Sequence, residues 1–371
     1  MRYVQINSFY NGSTGTIMRR QHEELRARGV DSYIMWGRRH ETVSDHELCI
    51  ATRPEIYLHG GLARLDGRCG FHSNGDTTRL LARLDEIRPD VVHLHNIHGY
   101  YVNVEMLFGW LAEHEDVRVE WTLHDCWAFT GHCAHFSYVG CEQWRSGCAG
   151  SARCPQLDEY PKTYAGSGSC RWCFEHKRGA FTSVPPERMR LITPSQWLAD
   201  LVGQSFLKGY PVEVRHNTID KTVFKPTPSD FRERYGIGDR FMVLGVASPW
   251  TERKGLGDFV RLAGDLDSDR YAIVLVGLSP KQVKALPECV VGLTRTDSPR
   301  ELAGIYTTAD VFLNPTVEDN FPTVNLEAEA CGTPVVTYDT GGCRETIVRP
   351  DSRCAQGYAD ALEDLKGRSN Q

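Results

Sequence analysis

Short apolar segments alternate with helical segments along most of this chain, and this alternation limits the folds open to it. Apolar strands are predicted at residues 3–7, 91–95 and 117–123, and again at residues 241–246 and 271–276. Apolar strands separated by helices are typical of parallel sheets that helices cover on both faces. The sequence therefore predicts an α/β fold built on doubly wound sheets.

The chain is long enough for two such domains, because its 371 residues exceed the roughly 100–200 residues of one domain. Residues 225–229, Lys-Pro-Thr-Pro-Ser, have the composition of a joint between domains. We predict an N-terminal Rossmann-like domain over residues 1–224 and a C-terminal one over residues 225–371. The first domain would contain a Cys-rich insert at about residues 126–175.

Charge and hydropathy exclude several classes of protein. The 42 Lys and Arg residues against 48 Asp and Glu residues give a formal net charge of 42 − 48 = −6. Nucleic-acid-binding domains usually carry a basic excess, so no nucleic-acid partner is expected. No apolar run approaches the roughly 20 residues of a membrane-spanning helix, and residues 1–10 lack the apolar core of a secretory signal. We expect a cytoplasmic protein.

The densest group of candidate binding residues lies in residues 314–336. A strand ends near Asn314, a polar loop with acids follows, and a helix begins near Thr323. The N–H groups and the positive dipole end of a first helical turn suit a phosphate. Asp319 and Glu327 are eight residues apart, which places two carboxylates where both can accept hydrogen bonds from hydroxyl groups. The segment predicts a ligand that carries phosphate and sugar hydroxyls.

Other candidates follow predicted strands. Gly12 and Gly15 come after the first strand, where glycine lets the backbone approach a phosphate or a sugar closely. His124 and Asp125 end the strand over residues 117–123. Because ligands of doubly wound sheets bind at the carboxyl ends of the strands, we expect both pairs to lie at a ligand site.

These motifs closely resemble those of the GT4 family of retaining, nucleotide-sugar-dependent glycosyltransferases, which have the GT-B fold of two Rossmann-like domains facing a cleft. The family pattern is Glu-x7-Glu; Glu327 matches the second acid, and Asp319, directly preceded by Glu318, occupies the first position. A strand-to-helix turn ending in Lys254 matches the family lysine, whereas Ser248 stands where an arginine is usual. The resemblance spans nearly the whole chain.

The resemblance implies a role for each candidate. Lys254 would neutralise the donor diphosphate, Asp319 would contact the transferred sugar, and Glu327 would hold the ribose. His124, with Asp125 beside it, would lie near the reacting carbon. Further contacts to the donor are implied for the glycine loop, the basic turn and the acidic loop with its helix, namely Gly12, Gly15, Arg253, Glu318, Asn320, Phe321, Thr323 and Val324.

The implied function is transfer of a sugar from a nucleotide diphosphate sugar, with UDP favoured, to a hydroxyl of a saccharide or lipid-linked acceptor. Such transfer would serve polysaccharide or glycoconjugate biosynthesis and would require no cofactor for its chemistry. Two alternatives stay open. The departures at Ser248 and Asp319 suggest a non-catalytic nucleotide-sugar-binding subunit of a transferase complex, and the shared fold suggests a GT-B nucleotide-sugar epimerase.

Seven of the 13 cysteines fall between Cys126 and Cys173. Four of them are candidate thiolate ligands of one tetrahedral structural Zn²⁺, namely Cys133, Cys141, Cys148 and Cys154. Buried thiols that pack as small apolar side chains, or disulfides, are the alternatives. A similar insert occurs in a GT4 subgroup associated with bacterial surface polysaccharides.

Basic residues cluster on the first predicted helix and after the second strand, namely Arg19, Arg20, Arg26, Arg28, Arg38 and Arg39. A solvated helix face is one interpretation. The other is peripheral contact with an anionic membrane surface, which would place the protein at the inner face of the membrane.

Overall fold

The structure, a computed structural model, describes residues 1–38, 40–148 and 153–369. The chain forms two compact units, Met1–Arg215 and His216–Gln371. Arg39 of the predicted basic cluster and residues 149–152 of the Cys-rich insert lie outside the described residues.

The N-terminal unit is built on a seven-stranded parallel sheet with the order β3-β2-β1-β4-β5-β6-β7. Its strands are β1 (Arg2–Phe9), β2 (Asp31–Arg38), β3 (Glu47–Cys49), β4 (Val91–Leu94), β5 (Arg118–Thr122), β6 (Met189–Thr193) and β7 (Val212–Val214). Strand β1 pairs in parallel with both β2 and β4, so the strand order reverses there. In doubly wound sheets the ligand crevice lies outside the carboxyl ends of the strands at such a reversal.

Helices of the N-terminal unit are α1 (Ser13–Ala27), α2 (Arg53–Asp66), α3 (Asn74–Ile87), α4 (Val104–Glu113), α5 (Gly168–Phe181) and α6 (Gln196–Val202). In α3 the side chains of Leu80, Leu84 and Ile87 recur at helical spacing and are buried. The Asn103 side chain caps α4 by accepting hydrogen bonds from its first backbone N–H groups. Amphipathic spacing and capping together fix these helices on the sheet.

Aromatic side chains form the core beneath the Cys-rich insert. The ring centroid of Phe181 lies 4.7 Å from that of Phe108 and 4.8 Å from that of Trp121. Trp127 in the 3₁₀ turn Trp127–Phe129 contacts the same Phe181 ring. Because buried aromatic rings remove large apolar areas from water, this cluster anchors the insert to β5 and α5.

The C-terminal unit has a six-stranded parallel sheet with the order β10-β9-β8-β11-β12-β13. Its strands are β8 (Phe241–Val246), β9 (Tyr271–Val276), β10 (Val290–Leu293), β11 (Val311–Asn314), β12 (Val335–Tyr338) and β13 (Arg353–Ala355). The strand order reverses at β8, which pairs with both β9 and β11. The carboxyl ends of β8 and β11 therefore mark the expected ligand edge.

Helices of the C-terminal unit are α7 (Phe231–Arg234), α8 (Leu256–Asp265), α9 (Pro280–Ala285), α10 (Pro299–Thr308), α11 (Thr323–Ala330) and α12 (Tyr358–Arg368). Ser279 caps α9 and Ser298 caps α10, each by accepting a backbone hydrogen bond, with proline in the first turn. Serine followed by proline is a helix-start pattern, so the boundaries of both helices follow from local sequence.

The division between the units lies before the joint that we predicted at residues 225–229. The segment that follows Arg215 packs on the C-terminal unit: the His216 ring stacks on Phe321 with centroids 4.9 Å apart. Further along, the Thr227 N–H donates to Thr307 Oγ1 at 3.0 Å. The second unit therefore begins at His216 rather than at residue 225.

The described helices include none with the length and apolar composition needed to cross a bilayer.

Candidate functional site

In the C-terminal unit, the loop between β11 and α11 is held by a chain of buried amides. Asn314, at the end of β11, donates to the Asn325 side chain at 2.9 Å, and Asn325 donates to Thr346 Oγ1 at 2.8 Å. All three side chains are buried. Because buried amides with satisfied hydrogen bonds allow few alternative arrangements, the chain fixes where α11 begins relative to the sheet edge.

Lys254 and Asp319 meet at this edge. The ammonium group of Lys254 donates to Asp319 Oδ2 and forms an ion pair with it. Gly255, which follows the lysine, has φ of +78°, and a Cβ there would lie 2.4 Å from the backbone oxygen of Pro315. Glycine therefore lets the basic turn approach the acidic loop closely enough for the pair to form.

Arg253 contacts the backbone of the same loop. Its guanidinium donates to the backbone oxygen of Glu318, and its own carbonyl accepts from the Val317 N–H at 2.9 Å. Glu318 is fully buried, whereas the Asp319 side chain keeps 16% of its surface exposed. Of the two adjacent acids, Asp319 is the one that the structure pairs with Lys254.

Glu327 lies on α11, next to the buried Tyr306 of α10. The Tyr306 hydroxyl donates to Glu327 Oε2 at 3.1 Å. Burial raises the pKa of Glu327 to about 7, although the hydrogen bonds with Tyr306 and Thr323 lower it. Its charge therefore changes near neutral pH, which is unusual for a glutamate.

The remaining predicted donor contacts lie around the first turn of α11. Asn320 and Phe321 are buried in the loop, and Thr323 and Val324 are the first residues of the helix. Their position at a helix N-terminus gives the geometry expected for binding an anion. Within this unit, the structure brings this turn, the Lys254–Asp319 pair and Glu327 to the carboxyl-end side of β8 and β11.

The glycine loop lies in the N-terminal unit, directly after β1. Gly12 precedes α1, and its carbonyl accepts the hydrogen bond of the Thr16 N–H at 2.9 Å. A Cβ at Gly15 would lie 2.4 Å from the backbone oxygen of Tyr10, so this position tolerates only glycine without a shift. The loop occupies the ligand edge of its own sheet, and its predicted role in donor binding stays a prediction.

A column of three histidines lies along the same sheet edge. His95 Nδ1 lies 3.1 Å from His124 Nε2, and the rings of His93 and His95 stack with centroids 4.3 Å apart. Burial lowers the pKa of His93 to about 3 and that of His124 to about 4. Both rings are therefore neutral at pH 7 and take part as hydrogen-bonding groups.

Asp125 uses its two carboxylate oxygens to hold neighbours. Oδ2 lies 2.9 Å from His98 Nε2, and Oδ1 accepts the hydrogen bond of the Trp127 N–H at 2.9 Å. Burial alone would raise the pKa of Asp125, but the electrostatic interaction and hydrogen bond with His98 hold it well below its ordinary value. Asp125 thus orients His98.

Two side chains near this pair were not predicted from the sequence. Tyr160 places its hydroxyl 3.5 Å from His98 Nδ1. The buried Lys177 donates to the carbonyls of Trp127 and Thr130 at 2.8 and 3.1 Å, and burial lowers its pKa to about 8. His98 was also not predicted, although its position just after β4 could have indicated it. Tyr160 lies in the insert and Lys177 in α5, and the sequence pattern gave neither a role.

One cavity of the insert is lined by five thiols and a histidine, namely Cys133, Cys141, Cys148, Cys154, Cys170 and His132. Within residues 1–38, 40–148 and 153–369, however, no group of three or more His, Cys, Asp or Glu side chains is placed to hold a metal ion. No disulfide joins residues in these ranges. The predicted zinc site is therefore not confirmed.

Two of the clustered arginines contact aromatic rings. Arg19 lies over Tyr10, with 4.9 Å from Cζ to the ring centroid, and Arg38 lies over Phe9 and Tyr100 at 5.2 and 5.6 Å. Such contacts hold a guanidinium at the protein surface. The predicted membrane contact of this cluster stays a prediction.

Comparison with known families assigns the C-terminal unit. Residues 240–366 match the family described as "Glycosyl transferases group 1". The C-terminal unit is a group 1 glycosyltransferase domain. The chain is also 24% identical over 373 residues to the colanic acid biosynthesis glycosyl transferase WcaC of Escherichia coli K12, covering 94% of this chain and 85% of that one. The prediction that the chain is a glycosyltransferase is thereby confirmed.

Solved structures confirm the fold. Sucrose-phosphate synthase of Thermosynechococcus elongatus superposes with a TM-score of 0.68 at 14% identity, over 99% of this chain and 89% of that one. Alr3699/HepE of Anabaena in complex with UDP-glucose gives 0.60 at 14% identity, again over 99% and 89%. Two Rossmann-like units with parallel sheets match the predicted GT-B fold.

Proposed function

We propose that this glycosyltransferase is a retaining enzyme of the GT4 type, which moves a sugar from a UDP-sugar to a hydroxyl of a saccharide or lipid-linked acceptor. The observation that carries the proposal is the Lys254–Asp319 ion pair at the β11–α11 loop. UDP is favoured because HepE of Anabaena binds UDP and UDP-glucose in the same fold. The WcaC relative supports a place in polysaccharide or glycoconjugate biosynthesis.

Donor binding begins at Lys254. The diphosphate competes with Asp319 for the ammonium group and offers more negative charge, so the lysine moves to the phosphate. The N–H groups near Thr323 and Val324 at the start of α11 bind the same diphosphate. Arg253, which is bound to the loop backbone, adds a second positive charge nearby.

Asp319, once Lys254 has moved, accepts hydrogen bonds from hydroxyl groups of the transferred sugar. Glu327 accepts those of the ribose, and its contact with Tyr306 keeps the carboxylate oriented. Carboxylates suit both tasks because they accept several hydrogen bonds at once. The two acids thereby hold the donor at its sugar and at its nucleoside.

In the transfer step, the bond from the anomeric carbon to the UDP oxygen breaks. The acceptor oxygen forms its bond on the same face of the sugar, and its proton passes to the departing phosphate oxygen. Lys254 and the α11 amides stabilise the charge that grows on UDP. His124 and the His98–Asp125 pair of the N-terminal unit contact the acceptor as hydrogen-bonding groups.

We infer that the enzyme works in the cytoplasm, on acceptors at the inner face of the membrane.

A transfer assay tests the proposal. The purified chain is incubated with a panel of UDP-sugars and with free and lipid-linked saccharides, and NMR of the product gives its anomeric configuration. We expect Lys254→Ala to lose about 10²–10³ in turnover at saturating donor. Lys284→Ala, an exposed lysine on α9, is the matched control and should keep full turnover. An inverted product, or unchanged turnover in Lys254→Ala, would contradict the mechanism; donor binding without any transfer would favour the non-catalytic subunit.

A further inference from the structure

Helix α2 of the N-terminal unit presents an apolar face to solvent. Tyr57, Leu58 and Leu65 are 78%, 61% and 70% exposed. Residues 58 and 65 are separated by seven positions, close to two helical turns, which places them on one stripe of the helix, and residue 57 lies beside it. Large apolar side chains that cluster on one exposed surface mark an interaction site.

The opposite side of α2 holds the helix to the fold. His59 and Ala63 are buried, and His59 Nδ1 lies 2.8 Å from Ser73 Oγ. The Gly70 N–H donates to His59 Nε2 at 3.0 Å. Because these contacts fix the helix, the exposed stripe contributes little to the stability of the unit.

Tyr164 extends the apolar stripe beyond the helix. Its backbone N–H donates to the carbonyl of Arg64 at 2.7 Å, and the Thr163 hydroxyl reaches the same carbonyl at 3.1 Å. The Tyr164 side chain is 74% exposed. We define the α2 face as Tyr57, Leu58, Leu65 and Tyr164.

Exposed cations border the α2 face, namely Arg53, Arg64, Arg68 and Lys162. The two acids of the helix are occupied: Glu55 accepts the Asp76 N–H at 3.0 Å, and Asp66 pairs with His72 at 3.1 Å. The exposed acids nearby are Asp158 and Glu159. Asp158 lies 3.7 Å from Lys162. Arginines thus dominate the charge around the apolar stripe.

We propose that the α2 face docks on the surface of a bilayer that contains anionic lipids. An apolar stripe of leucine and tyrosine flanked by arginine is the composition of helices that lie in the membrane interface. Leucines enter the acyl boundary, tyrosine rings occupy the headgroup level, and arginines bind lipid phosphates. The surface differs from the predicted arginine cluster on α1, and its docking does not depend on the identity of the sugar donor.

Vesicle sedimentation tests the proposal with the full chain. We expect it to sediment with vesicles of phosphatidylcholine and phosphatidylglycerol and to stay in the supernatant with phosphatidylcholine alone. The triple variant Tyr57→Ser, Leu58→Ser, Leu65→Ser should partition roughly tenfold more weakly. Arg53→Ala with Arg64→Ala should weaken binding less, and added salt should then have a smaller effect.

The matched control removes exposed apolar side chains from the other unit. Val348→Ser with Val260→Ser changes residues that are also exposed and should leave vesicle binding unchanged. Circular dichroism and thermal unfolding confirm that each variant is folded. Binding of the triple variant at the level of the unchanged chain, or no binding of the unchanged chain to anionic vesicles, would overturn the proposal. A triple variant that loses self-association but keeps its binding to anionic vesicles would also overturn the proposal, because the α2 face would then bind a second copy of the chain.

Discussion

Lys254 and Asp319 form an ion pair within the C-terminal unit, although 65 residues separate them along the chain. Gly255 and the β11–α11 loop bring the two side chains together. In the proposed mechanism this pair is broken when the donor binds, so each partner can be tested separately.

Asp319→Asn should abolish transfer while leaving UDP affinity within about threefold of the unchanged chain. The side chain contacts the sugar in our proposal, and its removal releases Lys254 to the diphosphate. Titration calorimetry with UDP and with a UDP-sugar measures both effects. A large loss of UDP affinity would place Asp319 at the nucleotide instead.

Glu327→Gln should change how UDP binding depends on pH. The pKa of Glu327 is raised to about 7, so the carboxylate that accepts ribose hydrogen bonds forms only as the pH rises through that value. The rise in UDP affinity from pH 6 to pH 8 should therefore be several-fold larger in the unchanged chain than in Glu327→Gln, where only the second ionisation of the UDP phosphate changes over this range. Calorimetry at the two pH values checks this; equal slopes would contradict the assignment.

Glu327→Gln should also change how the free energy of unfolding depends on pH. A raised carboxyl pKa means that the folded state binds more protons than the unfolded state between about 4.5 and 7, so the unchanged chain loses stability as the pH rises through this window. Glu327→Gln should be more stable by about 1–3 kcal/mol at pH 8 and little changed at pH 4.5. Urea unfolding at both values measures the difference.

His98→Ala should lower transfer without changing UDP affinity, because His98 lies in the N-terminal unit and the proposed nucleotide contacts lie in the other. Asp125→Ala should do the same and also destabilise the fold by about 1–3 kcal/mol, since the buried Trp127 N–H loses its acceptor. Transfer assays, calorimetry and thermal unfolding separate the effects. A matched loss of UDP affinity in both variants would contradict the assignment to the acceptor.

Gly15→Ala should destabilise the N-terminal unit and reduce transfer. Its Cβ would lie 2.4 Å from the Tyr10 carbonyl oxygen, so the turn after β1 must shift. Gly109→Ala in α4 is the matched control, because a Cβ there meets nothing within 4 Å. Alanine in a helix should raise stability slightly. Thermal unfolding that ranks the two variants in the opposite order would contradict this account.

The sequence was informative where strands are apolar and buried. The predicted strands at 91–95 and 241–246 appear as β4 and β8, and the acidic loop with α11 begins where expected. Strands β3 and β13 have three residues each and lie at sheet edges, so their hydrophobic pattern is too short to recognise. Edge strands are defined by their neighbours rather than by their own composition.

The candidate site was predictable where its residues lie in contiguous sequence motifs. Lys254, Asp319 and Glu327 belong to contiguous motifs, whereas Tyr306 and Tyr160 reach their partners from distant elements. Sequence spacing cannot show such contacts. The choice between Glu318 and Asp319 also needed the fold, because only the backbone direction of the loop decides which acid faces the lysine.

The buried histidine column has an electrical consequence. Because burial lowers the pKa values of His93, His95 and His124 far below neutral, none of these rings gains charge between roughly pH 5 and pH 8. These three rings therefore add no charge to the surface at the carboxyl ends of β4 and β5 as the medium acidifies over this range. These rings act as a neutral dipolar lining over this range, whereas Glu327 of the C-terminal unit changes its charge near pH 7.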